Sequence, residues 1–143
     1  MISPNDLKFQ DELDAASKLL DVLPHNELIS GDFVVVCSSL DSVVLANAIA
    51  NELDLSYELF FSERLYAPNN PECEIAIVSE TEEIVYSSEL VNAFDISLDF
   101  IYGAGHRKYE EKILKNVYKY RKGKLLENLQ GRNILLVDLG CQT

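Results

Sequence analysis

The chain has 143 residues, of which 48% are hydrophobic and 25% are charged, with a formal net charge of -12 and a pI near 4.4. This composition is typical of one globular domain with enough apolar material for a layered core. The negative charge repels nucleic acid and anionic lipid headgroups, and no apolar stretch approaches the roughly 20 residues that cross a bilayer. We therefore expect a cytoplasmic protein with neither a nucleic-acid partner nor a membrane segment.

The first half of the sequence predicts a βαβ unit. Ser3 and Pro4 are typical of a helix start, and apolar residues then recur at helical spacing as far as Pro24. Residues 33–37 predict a strand buried on both faces, residues 38–42 a polar turn, residues 43–53 a helix and residues 56–61 a second strand. Such units give a parallel sheet covered by helices, so the predicted fold class is α/β.

The second half predicts a hairpin, two helices and a final strand. Residues 75–78 and 84–86 read as a hairpin appended to the parallel sheet, and residues 88–94 as a short helix. A longer helix ends at Arg121 and begins either at the cap Ser97 or near His106, because Gly103 and Gly105 weaken its first turns. Residues 133–137 form the last strand.

The cysteines give little functional information. Cys37, Cys73 and Cys141 are odd in number and widely spaced, which favours three reduced thiols over a disulfide framework or a zinc site.

The most informative feature is the end of the last strand. An apolar run closes on Asp138 and Gly140, which places a carboxylate and a backbone turn at the carboxyl edge of a parallel sheet, where ligands bind. From the residues alone, Asp138 is either a ligand-binding acid or a strand-end acid that caps the next turn.

Two segments resemble the type I phosphoribosyltransferase family, in particular its bacterial branch of stand-alone predicted phosphoribosyltransferases. Residues 63–72, Glu-Arg-Leu-Tyr-Ala-Pro-Asn-Asn-Pro-Glu, are similar to one segment of that branch, and the closing strand with Asp138 resembles the family's phosphoribosyl pyrophosphate loop. Phe9, residues 11–16 and Gly131-Arg132 add further matches. The resemblance therefore extends in order over nearly the whole chain and implies a mostly parallel sheet flanked by helices.

The resemblance also implies a ligand and a set of site residues. The ligand would be phosphoribosyl pyrophosphate or a nucleotide, with Mg²⁺ carried by the substrate if the protein is active and with no direct metal ligand in the chain. No catalytic residue is assigned. Asp138 would bind the ribose, and the 5′-phosphate cradle would consist of Gly140, Cys141, Gln142 and Thr143. The pyrophosphate turn would consist of Ser38, Ser39, Leu40, Asp41 and Ser42. The mobile segment would contribute Arg64, Asn69 and Asn70.

Several positions depart from the family pattern. Leu139 stands in place of a second acid, Leu40 stands where the branch has an arginine that offers a cation to phosphate, and Asp41 next to it adds a like charge. Glu63 likewise replaces a cation. We therefore expect weak or absent catalysis, as in a pseudoenzyme, and no measurable base transfer if residues 1–143 are the whole protein.

Other uses of the same residues remain open. Ser42 or Asp41 would serve as a cap for the helix that begins at Val43, and Arg64 would serve in a surface ion pair with Glu63 or Glu72. We expect a single domain, residues 1–143, that is incomplete at its C-terminus. The alternative function is a non-catalytic protein-interaction or regulatory module on the same fold, and in either case we expect a homo-oligomer.

Overall fold

The structure is a computed structural model that describes residues 9–124, 126 and 128–140. These residues form two compact units, here called the parallel unit (residues 9–59 and 128–140) and the antiparallel unit (residues 60–124 and 126). Within the described ranges, no helix is long and apolar enough to cross a membrane. The chain is α/β, with one parallel and one antiparallel sheet of three strands each.

The parallel unit contains a sheet in the order β2-β1-β6, and both neighbours of β1 run parallel to it. Phe33 pairs with Asn133, and the register continues to Cys37 opposite Val137. The strands therefore end together at one edge of the sheet. The elements are α1 (Glu12–Val22), α2 (His25–Ser30), β1 (Phe33–Cys37), a 3₁₀ turn (Leu40–Ser42), α3 (Val43–Leu53), β2 (Tyr57–Leu59) and β6 (Asn133–Val137).

Apolar side chains of the helices and one sheet face build the core of the parallel unit. Ala16 of α1, Ile49 of α3 and Val35 of β1 are all buried in it, and Leu135 packs against it. The residues of β1 from Val34 to Cys37 are buried, as expected for a central strand of a parallel sheet.

The antiparallel unit contains a sheet in the order β3-β4-β5. A long helical segment packs against this sheet through α5 and a π-helical turn. Ile101 and Ile113 of this segment are buried, as are Leu65 of β3 and Ile75 of β4. The elements are β3 (Ser62–Ala67), β4 (Asn70–Ser79), β5 (Ile84–Tyr86), α4 (Ser88–Ala93), α5 (Leu98–Lys108), the π-helical turn (Tyr109–Ile113) and α6 (Leu114–Arg121).

The elements at residues 33–37, 43–53 and 133–137 are confirmed, and the predicted attachment of the hairpin is wrong. The hairpin of β4 and β5 is not appended to the parallel sheet, because β4 pairs with β3 and completes a separate sheet. Residues 62–67 and 70–79, which include the predicted mobile segment, form that β3–β4 pair. The strand predicted over residues 56–61 is shorter and spans Tyr57–Leu59.

Side-chain caps mark the starts of two helices. Ser3 and Pro4 lie outside the described residues, and α1 begins at Glu12 after a cap in which the Asp11 carboxylate accepts the Asp14 N–H at 2.8 Å. The predicted cap at Ser97 is confirmed, because the long helix begins at Leu98 and the Ser97 hydroxyl accepts the Phe100 N–H at 3.2 Å; the alternative start near His106 is wrong. Gly105 has a packing role within the helix, because a Cβ there would clash with the Ile84 side chain.

Candidate functional site

The candidate site lies where β1 and β6 end. The two strands are parallel neighbours, so Ser38 and Asp138 follow directly after the paired residues Cys37 and Val137. The Ser38 hydroxyl donates to Asp138 Oδ2 at 2.6 Å, and the Ser38 N–H donates to the Val137 carbonyl at 3.3 Å. Two positions 100 residues apart in sequence therefore meet at the carboxyl edge of the sheet.

The second oxygen of the same carboxylate organises the turn that follows β6. Asp138 Oδ1 accepts the Gly140 N–H at 3.2 Å, which is an Asx turn in which the side chain holds the backbone two residues on. One carboxylate thus connects the turn after β6 to the turn after β1. Such strand-end turns are where α/β proteins present polar groups to a ligand.

A hydroxyl and thiol cluster fixes the turn after β1. Ser42 is fully buried, and its Oγ lies 3.0 Å from Ser39 Oγ and 3.1 Å from Cys37 Sγ. Ser42 Oγ also donates to the Ser39 carbonyl at 2.9 Å, and the Cys37 thiol donates to the same carbonyl at 2.9 Å. The turn is therefore held from inside by short polar side chains.

These contacts correct the predicted cap for α3. Ser42 occupies the N-cap position, but its side chain makes no capping hydrogen bond to α3 and bonds instead to Ser39 and Cys37. Asp41 is exposed in the 3₁₀ turn and makes no capping bond either. The first turn of α3 thus has no side-chain cap, which leaves its backbone N–H groups at the carboxyl edge of the sheet.

The buried partner that sequence reasoning missed is Cys37. Its position immediately before two serines was the available signal, because a thiol is a weak donor that fits a tight polar turn. On the neighbouring strand β2, Tyr57 pairs with Val35, and burial, with smaller contributions from Cys37 and Glu58, raises the pKa of Tyr57 above its ordinary value of 10.0. The Tyr57 phenol therefore keeps its proton to a higher pH than an ordinary tyrosine.

The predicted site residues fall into three groups. Asp138, Gly140, Ser38, Ser39 and Ser42 come together as described, with the exposed Leu40 and Asp41 on the same turn. Cys141, Gln142 and Thr143 lie outside the described residues. Arg64, Asn69 and Asn70 belong to the antiparallel unit.

The three residues of the predicted mobile segment are placed by the β3–β4 pair. Arg64 lies in β3, and its Nε is 3.5 Å from Glu74 Oε2, an ion-pair partner other than the predicted Glu63 or Glu72. Asn69 and Asn70 line a groove of about 630 Å³ within the antiparallel unit, together with Phe94, Ile96 and Phe100. Closure of this segment over a ligand stays a prediction.

Comparison with known proteins gives the fold. No family model and no curated protein matches the chain. The chain is similar to the crystal structure of TT1426 from Thermus thermophilus, with a TM-score of 0.71 and 23% sequence identity. The similarity covers 92% of this chain, which spans 61% of the length of that one. At this identity, the likeness shows a shared fold.

Proposed function

We propose that this chain is a type I phosphoribosyltransferase-like domain that binds phosphoribosyl pyrophosphate or a nucleotide phosphate, with catalysis weak or lost. The observation that carries the proposal is the 2.6 Å hydrogen bond between Ser38 and Asp138. This bond joins two segments at the carboxyl ends of adjacent parallel strands. The family resemblance implies that one of these segments binds the ribose and the other the pyrophosphate.

Asp138 suits the ribose part of such a ligand. A carboxylate only accepts hydrogen bonds, and each of its oxygens can accept more than one, so contact with Ser38 and Gly140 is compatible with bonds from sugar hydroxyls. The bond from Ser38 would keep the carboxylate oriented before the ligand arrives. This is the role of a positioned acceptor in a preorganised site.

Backbone groups would hold the phosphate part. The turn at Gly140 and the first turn of α3 lie at the same edge of the sheet, and backbone N–H groups in such turns and helix starts attract anions. No described residue of the turn after β1 carries a positive charge, since Leu40 stands where the family pattern has a cation and Asp41 adds a negative charge. We therefore expect the site to bind the ligand but to neutralise the leaving pyrophosphate poorly.

Magnesium would enter with the ligand. Among the described residues, no group of three or more His, Cys, Asp or Glu side chains could hold a metal ion. The ion would neutralise pyrophosphate that the negative charge of the chain otherwise repels. We further propose a cytoplasmic location, where thiols such as Cys37 and Cys73 stay reduced.

Calorimetric titration of the full chain with phosphoribosyl pyrophosphate and Mg²⁺ tests the proposal. We expect saturable heat that Asp138→Asn weakens by about tenfold, because a charge-assisted hydrogen bond contributes roughly 1.5 to 3 kcal/mol. The control is Asp32→Asn, which removes an exposed carboxylate before β1, at the other end of the strand.

Two outcomes would contradict the proposal. Absence of heat in the wild-type protein, or equal affinity in Asp138→Asn, would leave the Ser38–Asp138 bond as a purely structural tether. Turnover with any purine, pyrimidine or orotate acceptor would show that catalysis is retained and would overturn the statement that it is weak or lost.

A further inference from the structure

The turn after β1 has three serine hydroxyls, and contacts inside the protein engage all of them. The Ser38 hydroxyl donates to Asp138 Oδ2 at 2.6 Å. Ser42 Oγ donates to the Ser39 carbonyl at 2.9 Å. Because a hydroxyl has a single proton, Ser39 is then the donor to Ser42 Oγ at 3.0 Å. These hydroxyl protons therefore hold the turn together and are not directed at a ligand.

The two remaining side chains of this turn do not attract an anion either. Leu40 is apolar and 37% exposed, and Asp41 is exposed and negatively charged. The strongest hydrogen bonds to phosphate come from cationic side chains. Within residues 38–42, all of which the structure describes, no side chain is cationic. Only backbone N–H groups of the turn are left to bind an anion.

Asp41 also weakens the attraction that the start of α3 offers to an anion. A helix start has a partial positive charge, which favours a negative group in or near the first turn. Asp41 lies in the 3₁₀ turn that leads directly into α3 at Val43, so the chain itself supplies such a group. A second anion at the same place would be repelled by this carboxylate over a distance at which salt screens the charges only partly.

The negative charge of Asp138 has a different consequence for a ligand. Its carboxylate accepts hydrogen bonds, so it suits the hydroxyls of a sugar, which are uncharged donors. In the proposed function, the turn after β6 binds the ribose and its 5′-phosphate, and the turn after β1 binds the pyrophosphate. A ligand with ribose and a 5′-phosphate but no pyrophosphate would therefore place no negative charge beside Asp41.

We infer, on the basis of the proposed function, that the strand-end site selects ribose with a single 5′-phosphate over phosphoribosyl pyrophosphate. The ligand class is that of ribose 5-phosphate and the nucleoside monophosphates. The selectivity comes from the turn after β1, which repels a pyrophosphate through Asp41 and has no cation to offset the repulsion. Mg²⁺ bound to the pyrophosphate reduces the selectivity, because the ion neutralises part of the repelled charge.

Ribose 5-phosphate and phosphoribosyl pyrophosphate are a matched pair of ligands, because they differ only in the pyrophosphate on the ribose. Calorimetric titration of the full chain with each ligand, with and without Mg²⁺, measures the selectivity. Without Mg²⁺, we expect ribose 5-phosphate to bind about tenfold more tightly, and with Mg²⁺ we expect a smaller difference. Uridine 5′-monophosphate distinguishes the two sources of the group: tighter binding than ribose 5-phosphate assigns a nucleotide, and weaker binding assigns the free sugar phosphate.

Two variants change the charge of the turn after β1 at exposed positions. Leu40→Arg supplies a cation and Asp41→Asn removes an anion. Each should strengthen the Mg²⁺-free binding of phosphoribosyl pyrophosphate by about tenfold and change the binding of ribose 5-phosphate much less. The controls make the same replacements elsewhere, as Leu13→Arg in α1, where the leucine is 63% exposed, and as Asp32→Asn before β1. Both controls should keep the wild-type selectivity.

The outcomes separate this selectivity from the proposed function itself. Equal or tighter Mg²⁺-free binding of phosphoribosyl pyrophosphate by the wild-type protein would overturn the selectivity and leave the proposed function standing. A selectivity that Leu40→Arg and Asp41→Asn leave unchanged would also overturn the inference, because the turn after β1 would not be its cause. Absence of binding of both ligands, with and without Mg²⁺, would contradict the proposed function and the selectivity together.

Discussion

The parallel and antiparallel units use polar residues in different ways. In the parallel unit, polar contacts between distant described residues lie at both ends of the strands, and Ser38, Ser42 and Asp138 meet at the carboxyl end. In the antiparallel unit, the polar contact of longest range lies in the interior, where Arg121 pairs with Glu80. The first arrangement leaves polar groups at an edge that a ligand can reach, and the second places them where they contribute to folding.

The Glu80–Arg121 pair has the geometry of a structural contact. The side chains of Glu80 and Arg121 are 5% and 13% exposed, and the guanidinium lies 5.1 Å from the centre of the Phe61 ring. The other oxygen of Glu80 accepts the Phe61 N–H at 2.9 Å. Among the described residues, buried Arg121 Nε and Nη1 find no hydrogen-bond partner, so the described contacts of the guanidinium are one carboxylate and one ring. Removal of either charge would leave the other buried and unpaired.

The largest effect should come from breaking this pair. Glu80→Gln is expected to lower the free energy of unfolding by about 3 to 5 kcal/mol, because an uncompensated buried charge remains. Urea denaturation followed by circular dichroism measures this change in the free energy of unfolding. Glu83→Gln, an exposed change nearby, should stay within about 0.5 kcal/mol. Equal effects of the two variants would contradict the buried role of Glu80.

The core of the parallel unit provides the next effect. Ile49 of α3 is fully buried among apolar neighbours, so Ile49→Ala should cost about 3 kcal/mol through lost burial and a residual cavity. Val44→Ala on the exposed side of α3 is the control and should change stability by less than about 0.5 kcal/mol. A small effect at Ile49 would argue against the packing of α3 on the sheet.

A smaller loss of stability is expected at the strand-end cluster, and it can be compared with the loss at an ordinary helix cap. Ser42→Ala removes a buried hydroxyl from a cluster with Ser39 and Cys37 and should cost about 1 to 3 kcal/mol. Ser97→Ala removes the cap of α5 and should cost about 1 kcal/mol. Thermal unfolding of both variants compares them. A Ser42 variant as stable as the wild type would show that the cluster is not needed to hold the turn.

The smallest effect is a dependence on alkaline pH. Since burial raises the pKa of Tyr57, the folded state keeps this proton to higher pH than the unfolded state, and stability falls as pH rises above the ordinary pKa of 10.0. Tyr57→Phe should therefore lose less stability than the wild type above that pH, in urea titrations at a series of pH values. Tyr102→Phe, at an exposed position, should follow the wild type.

Local patterns predicted the parallel unit best. The strands at residues 33–37 and 133–137 and the helix at residues 43–53 have the boundaries that the sequence indicates, because continuous apolar runs and helical spacing leave few alternatives. The meeting of Ser38 with Asp138 also follows from parallel pairing. The burial of Ser42 in a polar cluster could not be predicted in this way, since a serine before a helix is most often a cap.

Pairing between distant segments limited the prediction of the antiparallel unit. Residues 62–67, Ser-Glu-Arg-Leu-Tyr-Ala, show no continuous apolar run, so their pairing with β4 depends on partners that the local pattern does not reveal. For the same reason, the contact between Glu80 and Arg121, 41 residues apart, has no signal in the spacing of either residue. When its partner is not known, a charged residue in a basic helix is predicted to be exposed to solvent.

The most direct test of the strand-end site is a nitrogen–proton NMR titration with phosphoribosyl pyrophosphate and Mg²⁺. The account predicts that the amide signals of Ser38, Ser39 and Gly140 shift together and saturate at one ligand concentration, while those of Glu82 and Glu83 in the β4–β5 turn stay in place. Unchanged signals at the ends of β1 and β6, with or without shifts elsewhere, would contradict it.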